Sequence, residues 1–231
     1  KITKPSFIDK FIGVGMRDMD VLVSGPLAQT ARLEFYRLWA KWQTYQLSGK
    51  STPLPPSEYT PSNQLKKCAV VNFDTNHTRV LRGVQMHFVA GGPEDGTNNP
   101  CVQTMQKLFD NAQQTILIGN MIFDEKGLIA HLRQATKRQV QVTVITNGNR
   151  HEEHSIGKRI IGMVNRNNFS ALLKEQAAFY EYTTPGQVYH KKVTVIDGKI
   201  TVIGSMNISS KSAFCDDEAM LVLYSTAAAQ A

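Results

Sequence analysis

Cysteine is scarce in this 231-residue sequence, where Cys68, Cys101 and Cys215 form an odd and widely spaced set. They lack the paired short spacings of zinc sites and the density of a disulfide scaffold, so they are expected to be buried or incidental thiols. Long apolar runs are missing too: no stretch reaches the roughly 20 residues that cross a bilayer as a helix. Nor is there a polybasic tail, because the net charge of +7 is spread along the chain. That balance suits an anionic partner, phospholipid or nucleic acid, without choosing between them. The chain opens at Lys1 with no charged-then-apolar leader, and its true start is expected upstream. What is present is ordinary: 42% apolar residues, 19% charged residues and 16 glycines exclude collagen-like, coiled-coil and mostly disordered chains.

Patterning divides the chain into a strand-helix segment over residues 1–47, a linker over 48–66 and a catalytic domain over 67–231. In the first, Met19 to Gly25 reads as a strand, and Pro26 opens a helix whose Ala31, Phe35, Leu38, Trp39 and Trp42 form a core-facing stripe. In the linker, Pro53, Pro55, Pro56 and Pro61 interrupt any apolar periodicity. Beyond it, strand and helix signals alternate as in a layered α/β domain. Strands are expected at 84–90, 115–119, 140–146 and 179–183, with helices from Pro100 to Ala112 and over 127–136 and 157–176. The end of the chain reads as three strands, 188–196, 200–203 and 219–224, the first two joined by an Asp197-Gly198 turn. No internal repeat is present.

Chemistry concentrates in Tyr189-His-Lys-Lys-Val-Thr-Val-Ile-Asp-Gly-Lys-Ile-Thr-Val-Ile-Gly-Ser-Met-Asn207. His190, Lys192 and Asp197 stand in the spacing H-x-K-x4-D, and Gly204-Ser205-x-Asn207 follows after six residues. Positions two apart on a strand share a face, so His190 and Lys192 are expected to project together. A hairpin then returns Gly204, Ser205 and Asn207 beside them. Lys192 supplies a cation for a phosphate, and Ser205 and Asn207 supply hydrogen-bond donors to its non-bridging oxygens.

At each of these positions the segment is similar to the signature, the HKD motif, of the phospholipase D superfamily. The resemblance implies a mixed sheet flanked by helices in α/β/α layers. It further implies phosphodiester transfer without a metal or other cofactor: one histidine forms a phosphohistidine, and a second protonates the leaving alkoxide. Asp197 is counted with the catalytic set but carries a structural part in that pattern. A later carboxylate commonly orients the histidine; Glu218, eleven residues after Asn207, takes that place, with Asp216 and Asp217 as alternates.

The superfamily's site needs two facing motifs, and this sequence holds one. None of His77, His87, His131, His151 and His154 has the accompanying residues. The second motif is expected from an upstream domain or a homodimer partner. Arg17 to Pro26 and the helix through Phe35 and Trp39 resemble the stretch after the first motif in two-motif bacterial phospholipases and cardiolipin synthases, so the chain resembles the C-terminal half of such an enzyme. Asn120-Met-Ile-Phe123 departs from the family's apolar-Pro-Tyr-Phe turn. The implied substrate is a phospholipid or another phosphodiester, with peripheral membrane contact and a peripheral or secreted bacterial setting. A nuclease of the same superfamily and a non-catalytic half that binds lipid or a partner are the rivals. His151-Glu-Glu-His154 lacks a third ligand and a metal-site spacing, and is read as a solvated loop. Gly91 to Gly96 is read as a plain turn, and Lys137-Arg138 and Lys158-Arg159 as solvated helix faces.

Overall fold

The computed structural model describes residues 15–17, 23, 25–46, 81–148, 156–184 and 187–230. The chain divides into two compact units, residues 22–83 and residues 1–21 with 84–231. The proposed linker, Cys68, His77, His151, His154 and most of the strand expected before Pro26 lie outside the described residues.

In the smaller unit the helix α1 (Pro26–Gln46) begins at the expected proline. Its Leu33 and Phe35 are each 58% exposed, so at Phe35 the stripe does not face a core. Within that unit the described residues supply no second layer to cover it.

The larger unit is built on a mixed seven-stranded sheet in the order β2-β9-β8-β7-β3-β4-β5. Its strands are β2 (Gln85–Gly91), β3 (Thr115–Asn120), β4 (Gln141–Asn147), β5 (Ala178–Tyr182), β7 (Lys192–Ile196), β8 (Ile200–Gly204) and β9 (Glu218–Tyr224). β3, β4 and β5 run parallel, as crossover helices require, and β7, β8, β9 and β2 run antiparallel. A separate short parallel pair joins β1 (Gly15–Arg17) to β6 (Gln187–Tyr189). The helices are α2 (Pro100–Asn111), α3 (Lys126–Lys137), α4 (Ile156–Leu173), α5 (Ser210–Phe214) and α6 (Thr226–Ala229). This is the helix-flanked mixed sheet that the motif implied.

Local chemistry explains the boundaries. Asn99 caps α2 by accepting from the Cys101 N–H at 2.9 Å, with Pro100 in the first turn. Glu125 plays the same part for α3, accepting from Gly127 N–H at 2.9 Å. The β7-β8 turn uses Asp197 and Gly198, both at positive φ (52° and 60°), the conformation that tight hairpins select. One continuous core lies between α2, α3 and α4 and one sheet face, with Phe109, Ile116, Leu128, Leu132 and Val144 fully buried. Phe169 of α4 stacks on Phe179 of β5 at 4.1 Å, and both rings meet Phe123 at 6.0 Å.

The expected strand 188–196 is interrupted. Gln187–Tyr189 pairs with β1, the seven-stranded ladder begins only at Lys192, and His190 and Lys191 belong to neither strand. His190 and Lys191 thus form a two-residue break between β6 and β7, for which the sequence carries no glycine or proline signal.

Candidate active site

The ladders bring Lys192 and Gly204 to one end of the sheet. Lys192 opens β7 opposite Asn120, the last residue of β3. Gly204 closes β8 opposite Met220 of β9, two residues after Glu218. A Cβ added at Gly204 would stand 2.2 Å from the Ala219 carbonyl oxygen and 2.6 Å from the Met220 Cα, so β8 and β9 approach here as only glycine permits. Asn120, Lys192, Thr194, Gly204 and Met206 line a small, mostly apolar cavity under this end.

Each predicted residue has a definite place. His190 sits in the two-residue break before β7, partly exposed, and its carbonyl accepts from the Lys192 Nζ at 2.6 Å. Glu218 is buried, 7% exposed, and its carboxylate accepts a hydrogen bond from the Ser205 hydroxyl. The Ser205 Oγ in turn accepts from the Ala219 N–H at 3.0 Å. The Ser205 hydroxyl thus reaches Glu218, which begins the strand that pairs with β8. Of the three neighbouring acids, Asp216 pairs with Lys211 and Asp217 is exposed; only Glu218 is buried. The Asn207 Oδ1 is buried with no hydrogen-bond partner among the described residues, an unmet acceptor of a kind that costs about 1–3 kcal/mol.

Asp197 lies just past the other end of β7, five residues from Lys192, roughly 17 Å at 3.3 Å per residue. Its carboxylate accepts from the backbone N–H groups of Gln113 (2.9 Å), Gln114 (2.7 Å) and Thr115 (2.9 Å). Burial alone would push its carboxyl up; these three donors and Lys199 outweigh that and hold it below the usual carboxylate value. Asp197 is a tie between the β7-β8 turn and the start of β3, remote from the end that holds Lys192 and Gly204.

A set of buried amides around the site escaped the sequence reading. The Asn120 Oδ1 accepts from Ile122 N–H (3.3 Å) and Ile208 N–H (3.2 Å), stitching the loop after Asn207 to β3. Asn165 of α4 accepts from Phe123 N–H at 2.9 Å and donates to the Thr146 hydroxyl at 2.8 Å and the Met121 carbonyl at 3.2 Å. The one available signal was Thr146-Asn147, a polar pair closing an apolar strand. Above them the Tyr189 phenol lies over Gly119, whose added Cβ would fall 2.3 Å from its oxygen. Burial pushes that phenol up.

Comparison with known proteins agrees with this architecture. A family profile described as "Cardiolipin synthase, PLD-like domain" matches residues 105–231, just over half of the chain. A cardiolipin synthase of Geobacillus sp. (strain WCH70) is 26% identical over 219 residues, 94% of this chain and 38% of that protein. Another, of Halalkalibacterium halodurans, is 27% identical over 215 residues, 91% of this chain and 36% of that protein. The chain thus spans less than two fifths of the length of these two relatives. Among solved structures, a phosphatidylserine synthase of Haemophilus influenzae Rd KW20 superposes with TM-score 0.54 at 14% identity, covering 64% of this chain and 36% of that one. The phospholipase D family member Nuc of Salmonella typhimurium superposes with TM-score 0.50 at 16% identity, covering 63% and 88%. At such identities the likeness is one of fold. The profile match over more than half of its length makes the chain a member of the cardiolipin synthase PLD-like domain family, within the phospholipase D superfamily.

Proposed function

We propose that this chain is one motif-bearing half of a phosphatidyltransferase that moves phospholipid headgroups through a phosphohistidine. His190 supplies one of the two imidazoles. In the first step the neutral imidazole attacks phosphorus, forming N–P, while the P–O bond to the leaving group breaks and the departing oxygen takes a proton from the imidazolium of the second motif. In the second step an acceptor alcohol returns a proton to that imidazole and its oxygen displaces the histidine, restoring both groups. Lys192 provides the positive charge for the phosphoryl oxygens, Asn207 a further contact, and Glu218 the carboxylate that orients the ring. Ser205 acts through Glu218.

The observation that carries this reading is the convergence of Lys192, Gly204 and Glu218 on one end of β7, β8 and β9, with His190 two residues before Lys192. The family match supports lipid over nucleic acid as substrate. The test is headgroup release and transfer from phosphatidylglycerol vesicles, run beside cleavage of single-stranded DNA and of a soluble nitrophenyl phosphodiester in EDTA. In an assembly that supplies the second motif, lipid turnover is expected, and His190→Ala should lower it about 10^2- to 10^4-fold without changing the melting temperature. Residual activity within tenfold of the parent, or cleavage of DNA without lipid turnover, would overturn the assignment.

A further inference from the structure

A strand residue sends its N–H and C=O to the same side. Those of Tyr189 go to the side chain of Asn147, the last residue of β4. The Tyr189 N–H donates to Asn147 Oδ1 at 2.8 Å, and Asn147 Nδ2 donates to the Tyr189 carbonyl, also at 2.8 Å. One carboxamide thus stands in for a missing strand at the residue immediately before His190. It cannot be flipped, since one atom must accept and the other donate.

Asn147 is fully buried and is itself held: its backbone carbonyl accepts from Asn165 Nδ2 at 3.3 Å, and its own Nδ2 also reaches the Met121 carbonyl at 3.3 Å. On the other side of His190, Lys192 Nζ holds the His190 carbonyl at 2.6 Å. Side chains therefore add to the pairing of Tyr189 with β1 and of Lys192 with β3 in fixing the backbone on both sides of the His190 Cα.

We propose that Asn147 is a positioning residue: its two-bond grip on Tyr189 sets where the His190 imidazole stands. The proposal rests on the reading that His190 reacts. The grip explains the break between β6 and β7, because the backbone groups that would continue the sheet are taken by the amide. Leucine at 147, similar in volume, would leave both Tyr189 groups unmet.

The test compares Asn147→Leu and the milder Asn147→Ser with Val142→Ala, a core truncation on the same strand away from Tyr189. On the 231-residue chain, exchange of the Tyr189 amide is expected to quicken about tenfold or more in both Asn147 variants, with the Val193 and Val195 amides unchanged. In the assembly in which the parent turns over, kcat should fall about 30- to 100-fold with KM within about threefold, while Val142→Ala at a matched loss of melting temperature stays within about twofold. If Asn147→Leu does not fold, Asn147→Ser is judged by the same measures. Unchanged Tyr189 protection, or an equal kcat loss in Val142→Ala, overturns the proposal. A His190→Ala protein that keeps the parent's rate overturns instead the reading of His190, and with it any catalytic meaning of the grip, whatever Tyr189 shows.

Discussion

Replacing Asp197 by Asn removes a charge shared by three backbone N–H groups at residues 113–115 while keeping a side chain that tolerates positive φ. Hydrogen bonds to charged groups are the stronger kind, so the variant should lose about 1–2 kcal/mol at neutral pH, or roughly 2–8 °C in melting temperature. Asp197 is held below its ordinary value of 3.8, so its contribution is complete above that value and is lost as pH falls through the lower native one. Calorimetry across pH 7 to about pH 2 should therefore show a constant gap between the two proteins that closes only at the acid end. A gap independent of pH would mean that shape, not charge, makes the tie. Activity at neutral pH and moderate temperature should stay within a few-fold of the parent, since Asp197 lies a strand's length from His190.

At the scale of elements, Gly204→Ala tests the close approach of β8 and β9. The new Cβ would meet backbone, which cannot rotate away, so a loss of about 1–3 kcal/mol or more is expected from urea unfolding. Prising the strands apart should also separate Ser205 from Glu218. Wild-type stability in this variant would show that the strands yield freely. Most of these elements could be read in the chain because local chemistry fixes them: Asn99-Pro100 starts α2, Asp197-Gly198 turns β7 into β8, and β-branched runs mark β4 and β7. The break at His190 was not legible, since its cause is an amide 42 residues earlier meeting the Tyr189 backbone in space. Nor was Ser205's bond to Glu218, which depends on the pairing of β8 with β9. The motif's spacing named the candidate residues but could not say that Asp197 sits at the opposite end of a strand.

At the scale of the molecule, one motif offers one imidazole, and the reaction asks for a base and an acid at once. As a monomer the 231-residue chain is expected to show less than about 1% of the activity of an assembly in which a second motif, from a preceding segment or another copy, faces His190. Sedimentation beside the vesicle assay tests this; full activity in a monomer of these residues alone would refute the two-imidazole scheme. The sheet order has a consequence of another kind, in the time the chain spends on the ribosome. Among the described residues β2 pairs only with β9, Gly91 against Glu218, so an edge strand made early waits for about 130 further residues, on the order of ten seconds at 5–20 residues per second. β3, β4 and β5 can assemble in the meantime. Until the last strand emerges, Met86 and Phe88 belong to an unpaired edge, and nascent chains that stall before residue 218 are the ones most open to aggregation and to capture by chaperones.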